Sequence, residues 1–180
     1  VNLCCGSSAT AANGYGTLAV MNSPRYLTAD NAGNLYIIDT NGNQLRKYNT
    51  VTTYLSTLVS GTSGYMDGDS SVAGIDRARG IVSDGTSVYF GEQNSNTIRQ
   101  VVLSTVETST FVGIRGCGGP ANLNGGVGGD GSTDWGGQCG TNATVMNKPQ
   151  FAAGIANMTF DYNTHAIYAV VSGGRLLKLE

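Results

Sequence analysis

A motif that occurs twice in full and echoes a third time constrains this chain more than any single residue does. Its first copy reads Met21-Asn-Ser-Pro-Arg-Tyr-Leu-Thr-Ala-Asp30, then Asn-Ala-Gly-Asn-Leu-Tyr-Ile-Ile-Asp39, then Thr-Asn-Gly-Asn-Gln-Leu-Arg-Lys-Tyr48. The second runs from Ala78-Arg-Gly-Ile-Val-Ser-Asp84 through Ser87-Val-Tyr-Phe-Gly-Glu92 to Asn96-Thr-Ile-Arg-Gln-Val101. The third opens Met146-Asn-Lys-Pro149, reaches Thr159-Phe-Asp161, continues His165-Ala-Ile-Tyr-Ala-Val170 and ends Gly174-Arg-Leu-Leu-Lys-Leu179. A repeat on this scale is one supersecondary unit that buries its apolar faces by stacking on its neighbours.

Each copy contains the same parts. A short apolar strand ends in Asp30, Asp84 or Asp161. A turn rich in Asn, Gly and Thr follows, made of residues that accept tight turns. The next strand is aromatic and branched: Leu35-Tyr-Ile-Ile38, Val88-Tyr-Phe90, Ala166-Ile-Tyr-Ala-Val-Val171. Such residues suit a buried sheet. A third strand alternates, as in Gln44-Leu-Arg-Lys-Tyr48, and the first two copies add a fourth, Thr53–Val59 and Glu107–Val112. Apolar residues recur at two rather than at three and four, so no helical period competes. Tandem four-stranded antiparallel sheets are the blades of a β-propeller. The expected fold class is therefore all-β.

The motif resembles the NHL-repeat family. The resemblance lies in Pro24-x-x-Leu-x-x-Asp30, Gly33-Asn-Leu-Tyr-Ile-x-Asp39 and Asn43-x-Leu-Arg-Lys47, and in the linker Gly64-Tyr-Met-Asp-Gly68 with Ala73, Ile75 and Arg79-Gly-Ile81. It covers about 18–113 well and 146–180 more loosely. The third copy carries extra residues between Pro149 and Phe160 and lacks an acid at the end of its second strand. On this reading 1–180 is one propeller segment. It comprises the end of a preceding blade plus linker (1–17), a blade (18–60), an inter-blade loop (61–76), a blade (77–113), a Gly-rich Cys-bracketed insert (114–145) and an incomplete blade (146–180). Three blades fall short of the four to eight that close a ring. The expectation is a fragment of a larger propeller, or one completed by partners; two such chains would supply six blades, a number common in the family.

Charge narrows the function. Charged residues are 12% of the chain and the net charge is −2, which gives no electrostatic case for nucleic acid or an anionic membrane surface. No apolar run reaches the ~18 residues a membrane span needs. Four cysteines, Cys4, Cys5, Cys117 and Cys139, allow three pairings. Cys117 and Cys139 bracket one Gly-rich loop and are the expected disulfide, worth about 3 kcal/mol on chain-entropy grounds. Cys4 and Cys5 are adjacent, and their pairing stays open: with Cys117 or Cys139, or outside the chain. No Cys-x-x-Cys spacing supports zinc.

Candidate chemistry is sparse. The recurring acids Asp30, Asp84 and Asp161 fit turn-capping acceptors, and Arg46 and Arg99 fit partners for carboxylates of their own or a neighbouring blade. Tyr36, Tyr89 and Tyr168 share one repeat position and read as core. Asp67, Asp69, Asp130 and Asp134 place oxygens in flexible loops, the one weak case for a calcium cofactor, although neither loop matches an EF-hand. The Gly125–Gly131 run lacks the Gly-Lys-Ser/Thr ending of a phosphate loop. Asn142-Ala-Thr144 and Asn157-Met-Thr159 fit glycosylation sequons. The single histidine, His165, lies in a turn. The resemblance implies amidating lyases with histidine-bound zinc among related propellers, and one histidine cannot build that site.

The expected role is non-catalytic: an extracellular interaction, adhesion or assembly module, secreted or on a cell surface. Its partner would be protein, through self-association or the rest of a longer polypeptide, or carbohydrate, with no nucleic acid and no membrane insertion. The long loop holding Asn124, Asp130 and Trp135 is the expected contact surface. Two alternatives stand beside this. One is a propeller-scaffold hydrolase or lyase whose catalytic residues lie in blades outside the chain. The other is a structural subunit polymerising through blade edges.

Overall fold

Period-two apolar strands separated by Asn-, Gly- and Thr-rich turns give fourteen strands and one short 3-10 turn among the residues described. The computed structural model describes residues 5–8, 10–60, 64, 66–113, 155–171 and 175–179. In chain order the strands open with β1 (Gly6–Ser7), β2 (Gly14–Tyr15) and, after the turn Gly16–Leu18, β3 (Val20–Met21). The first sheet proper is β4 (Pro24–Ala29), β5 (Asn34–Asp39), β6 (Gln44–Asn49) and β7 (Tyr54–Val59). The second is β8 (Ala78–Ser83), β9 (Ser87–Glu92), β10 (Thr97–Val102) and β11 (Glu107–Val112). The third is β12 (Ile155–Asp161), β13 (Ala166–Val171) and β14 (Arg175–Leu179).

Each sheet is an antiparallel meander in sequence order, and β2 adds a fifth strand to the first along β7. The all-β architecture of antiparallel four-strand sheets expected from the repeat is thus the one observed. First strands begin earlier than expected, at Pro24, Ala78 and Ile155. Each carries a one-residue register shift near its start, between Pro24 and Tyr26, Arg79 and Ile81, and Ile155 and Asn157. Such bulges bend the strand and break its alternation, which hides its first residues from a period-two reading.

The sheets stack face to face. Tyr36, Ile38, Leu45 and Val59 of the first meet Ile81, Val88, Phe90 and Val101 of the second, with Ala73 and Ile75 between them. The other face of the second, with Val82, Tyr89 and Ile98, meets Ile155, Met158, Ile167, Ala169 and Val171 of the third. The register aligns the repeats residue by residue: Arg46 pairs with Ile37, Arg99 with Phe90 and Leu177 with Ala169. Alternation thus sends equivalent side chains toward equivalent neighbours.

The segment ahead of each of the first two sheets is also repeated. Ala12 bridges Val20 as Met66 bridges Gly74, and Gly14 pairs with Leu55 as Gly68 pairs with Thr108. Ala19 and Ala73 occupy equivalent buried places, and Cys5 packs with Ala19, Ile37 and Leu55 on the first sheet's outer face. Among the described residues no helix is long and apolar enough to cross a membrane.

Candidate functional site

The repeated polar residues come first, because they decide which groups remain for ligands. Asp30 follows β4 and turns its carboxylate back over the hairpin. Its Oδ1 accepts the Ala32 and Asn34 amides at 2.9 and 2.8 Å, and its Oδ2 accepts Asn34 Nδ2 and the Tyr36 hydroxyl at 2.8 and 2.9 Å. Asp84 repeats this with the Thr86 and Ser87 amides, both at 2.7 Å, and the Tyr89 hydroxyl at 3.1 Å. Asp161 caps its turn through the Asn163 amide and the Thr164 hydroxyl. The capping role expected from the sequence is the one seen. Burial raises the pKa of Asp30 and of Asp84, but the hydrogen bonds to each carboxylate outweigh it and leave both below the ordinary 3.8. Tyr36 and Tyr89 move the other way, raised by burial and by the facing carboxylate.

This fixes a pH dependence. A carboxylate with a lowered folded pKa adds stability above its unfolded pKa and loses it as pH falls through the folded value. Asp84→Asn is expected to cost about 1 kcal/mol at pH 7 by leaving the partly buried Ser87 amide and Tyr89 hydroxyl without a charged acceptor. The deficit should shrink below pH 3.8, which thermal unfolding across pH checks.

Arg46 and Arg99 are both fully buried. Each ties the segment preceding its sheet to that sheet's third strand. Arg46 Nη1 and Nη2 donate to the Val20 and Ala12 carbonyls at 3.2 and 3.0 Å, and Nη2 also reaches Asn13 Oδ1 at 3.0 Å. Arg99 donates to the Gly74 and Met66 carbonyls at 3.3 and 2.7 Å, and to Asp67 Oδ1 at 2.9 Å. Their carboxylate partners are Asp39 at 3.7 Å and Glu92 at 3.4 Å. Burial raises the pKa of both acids, opposed at Glu92 chiefly by Arg99 and at Asp39 by the Asn22 amide and Arg46. Position for position, the third sheet has Val171 and Leu177 where the first two have this acid–arginine pair.

Asp67 therefore serves Arg99 and the Thr110 hydroxyl, while Asp69 caps a turn through the Ser71 amide and hydroxyl at 2.8 and 2.6 Å. Among the described residues no group of three or more His, Cys, Asp or Glu could hold a metal ion. Asp130 and Asp134, the Cys117–Cys139 pair, Asn124, Trp135 and Asn142 lie outside the described residues. Asn157 is exposed at the β12 bulge, its own Oδ1 accepting the Met158 amide. His165 is exposed in its turn, its ring edge-on to Phe160 at 6.3 Å.

One concavity has functional character. A cleft of about 440 Å³ opens where the first and second sheets meet. Arg25 and Tyr26 come from β4; Thr40, Asn41 and Asn43 from the β5–β6 turn; Asp76 and Arg77 from the connecting segment; Arg79 from β8. No hydrogen bond or ion pair joins the three guanidinium groups to described residues, and the one carboxylate present accepts Asn94 Nδ2 at 3.0 Å. Three cations against one acid, with amide and hydroxyl groups between, favour an anionic, hydrophilic ligand. Arg77 holds a positive φ of 48°, as does the equivalent Ser23 at 67°. Both carbonyls accept the amide that follows the facing strand, Gln93 and Thr40. That backbone geometry belongs to the repeat and is not special to the cleft.

The sequence reading did not single out this cleft. A signal existed: Arg25 and Arg79 stand at one repeat position in a chain with only ten Lys and Arg. Their convergence with Arg77 depends on how neighbouring sheets dock.

Solved structures resemble this fold at low identity. A chain of the nidogen–laminin complex matches with TM-score 0.54 and 13% identity, over 88% of this chain and 44% of that one. An auxiliary nutrient-binding protein of Bacteroides thetaiotaomicron matches with TM-score 0.56 and 15% identity, over 84% of this chain and 36% of that one. Both are β-propeller-like, and at these identities the likeness is one of fold. The chain spans less than half the length of either. No protein-family model and no curated protein sequence matches it.

Proposed function

We propose that this chain is a stretch of an NHL-like propeller working as a non-catalytic, extracellular binding module for a ligand that presents anionic oxygens. The cleft of Arg25, Arg77 and Arg79 carries the reading. Its guanidinium groups are left over, whereas the repeated acids and buried arginines are consumed in turns and sheet junctions. Such a distribution suits recognition: the stacked sheets bring the three arginine backbones to one cleft, and among the described residues the guanidinium groups have no partner to give up when a ligand binds. The neighbours' printed roles, a laminin complex and nutrient binding, are in keeping with a binding scaffold. The loop with Asn124, Asp130 and Trp135 remains a proposed second contact surface, and secretion a proposed setting.

Citrate is a suitable probe because it offers several carboxylates in a small volume. Titration by calorimetry should show saturable binding, weakened about tenfold or more in Arg25→Ala/Arg79→Ala, in line with the strength of charge-assisted contacts. Equal binding by the double variant would sink the assignment of this cleft. Turnover of ester, lactone or peptidyl-glycine substrates by the wild-type chain would overturn the non-catalytic reading.

A further inference from the structure

We propose that Asn41, on the β5–β6 turn, is a self-modification site: the Gly42 amide nitrogen converts its carboxamide to a carboxylate and so places a negative charge in the arginine cleft. Where the reaction occurs rests on the turn alone; what it does to binding rests on the cleft reading above.

The chemistry needs a side chain free to swing onto the following amide, and an amide nitrogen free to attack. It is fastest where the next residue is glycine, which has no Cβ to block the approach. Among the described residues Asn13, Asn41, Asp67 and Asp84 each precede a glycine. Three of them are held. Asn13 Oδ1 accepts Arg46 Nη2 at 3.0 Å and Thr57 Oγ1 at 2.9 Å. Asp67 is tied to Arg99, and Asp84 to the Thr86 and Ser87 amides. The Gly68 and Gly85 amides are engaged as well, donating to the Thr108 carbonyl and the Ser83 hydroxyl. Asn41 differs in both respects. Among the described residues neither its carboxamide nor the Gly42 amide makes a hydrogen bond. The bond that closes the turn, from the Asn43 amide to the Thr40 carbonyl, is long at 3.4 Å.

The second sheet supplies an internal comparison. Asp39 pairs with Gln44 as Glu92 pairs with Thr97, so Asn94 and Ser95 stand where Asn41 and Gly42 do. Asn94 Nδ2 donates to Asp76 Oδ1 at 3.0 Å, and the buried Ser95 hydroxyl bonds Glu92 at 2.7 Å. Asn41 and Asn94 are both exposed, and Asn94 belongs to a sheet packed on both faces. Exposure of this turn is therefore a property of the repeat. The glycine follows from the acid beside it: Asp39 Oδ2 lies 3.1 Å from where a Cβ on Gly42 would be.

The atoms balance with water as the one co-reactant. The Gly42 nitrogen gives its proton to solvent base and attacks Asn41 Cγ. The Cγ–Nδ2 bond breaks, ammonia leaves and a five-membered imide forms. Water then opens the imide. Cleavage between nitrogen and Cγ gives aspartate; cleavage between nitrogen and the backbone carbonyl carbon gives isoaspartate. Either product carries a carboxylate where Asn41 lines the cleft with Arg25, Arg77 and Arg79. A charge of that sign repels an anionic ligand, so the cleft weakens as the protein ages.

Incubation at pH 8 and 37 °C, followed by peptide mapping in a mass spectrometer, tests the site. Asn41 should show the amide-to-acid mass gain well before Asn13 and Asn94. Citrate titration tests the consequence. The incubated wild-type chain and Asn41→Asp should bind about tenfold or more weaker than the fresh wild-type chain. The affinity of Asn41→Gln should be the same before and after incubation, which also separates Asn41 from Asn124, outside the described residues. Conversion of Asn41 no faster than that of Asn13 and Asn94 overturns the proposal. So does a converted chain that binds citrate as the fresh one does. A fresh chain that never binds citrate fails the cleft reading instead, and the order of conversion still decides the site.

Discussion

Arg99→Leu is expected to lower stability by about 3–5 kcal/mol at pH 7, the range for removing one partner of a buried ion pair. The size follows from what is left behind. Glu92 is fully buried, and its remaining donors are the Asp76 amide and the Ser95 and Thr97 hydroxyls. The Met66 and Gly74 carbonyls lose their guanidinium donors as well. Those two terms can be separated, because the third sheet has already replaced the pair by Val171 and Leu177. Glu92→Val/Arg99→Leu should therefore be more stable than Arg99→Leu alone, as expected when a buried ion pair is exchanged for apolar residues. Urea unfolding of the three proteins decides it. If the double variant is the weaker, the hydrogen bonds that Glu92 keeps from the Asp76 amide and the Ser95 and Thr97 hydroxyls outweigh the cost of its lost partner.

The same variant carries a pH signature. Glu92 has a raised folded pKa through burial, opposed first by Arg99. An acid so raised weakens the fold as pH climbs from its unfolded value of 4.5 through its folded value, because the native state holds the proton longer. Removing Arg99 pushes that folded value further up. The deficit of Arg99→Leu should shrink at pH below 4.5, where Glu92 is protonated in both states. A deficit constant with pH would place its origin in lost packing and carbonyl contacts.

How much of this was legible beforehand differs between core and cleft. Tyr36, Ile38, Val88 and Phe90 announce themselves by continuous branched and aromatic runs, because a strand covered on both faces selects for apolar residues at successive positions. Asp30 and Asp84 are readable because their partners lie within six residues, inside one hairpin. Arg46 and Arg99 are readable only in part. Their sharing of a position suggests carboxylate partners, but the carbonyls of Ala12, Val20, Met66 and Gly74 are contacts across the chain. Arg25, Arg77 and Arg79 illustrate what a repeat cannot show. Two are equivalent and one is not, and their meeting is a consequence of how one sheet leans on the next. Bulges at the starts of β4, β8 and β12 add to this, since one extra residue shifts every side chain before it to the opposite face.

Gly91→Ala is expected to destabilise by about 1–3 kcal/mol, the usual cost of an extra methyl group in a filled core. Its neighbours in the repeat are Ile38 and Val170, so nothing in a single blade explains a glycine there. The junction between the second and third sheets does. A Cβ on Gly91 would run into the Cβ and both Cγ atoms of Ile155, which is itself buried at the start of β12. Gly80 supports the same close approach: it sits at φ 59°, with the Asn157 Cα 2.9 Å from where its own Cβ would be. At the first junction Ile38 stands at the position of Gly91 and Ala78 at that of Ile155, so the large and the small residue are exchanged between the two positions. Ile155→Ala alone should also destabilise, by about 2–5 kcal/mol, through the cavity it leaves. Combined with Gly91→Ala it should cost less than the two separately, with a coupling of about 0.5–3 kcal/mol, as for residues in direct contact. Denaturant midpoints for the four members of this cycle measure the coupling. Strict additivity would mean that Gly91 acts through its backbone freedom and that the close approach to Ile155 is not what demands it.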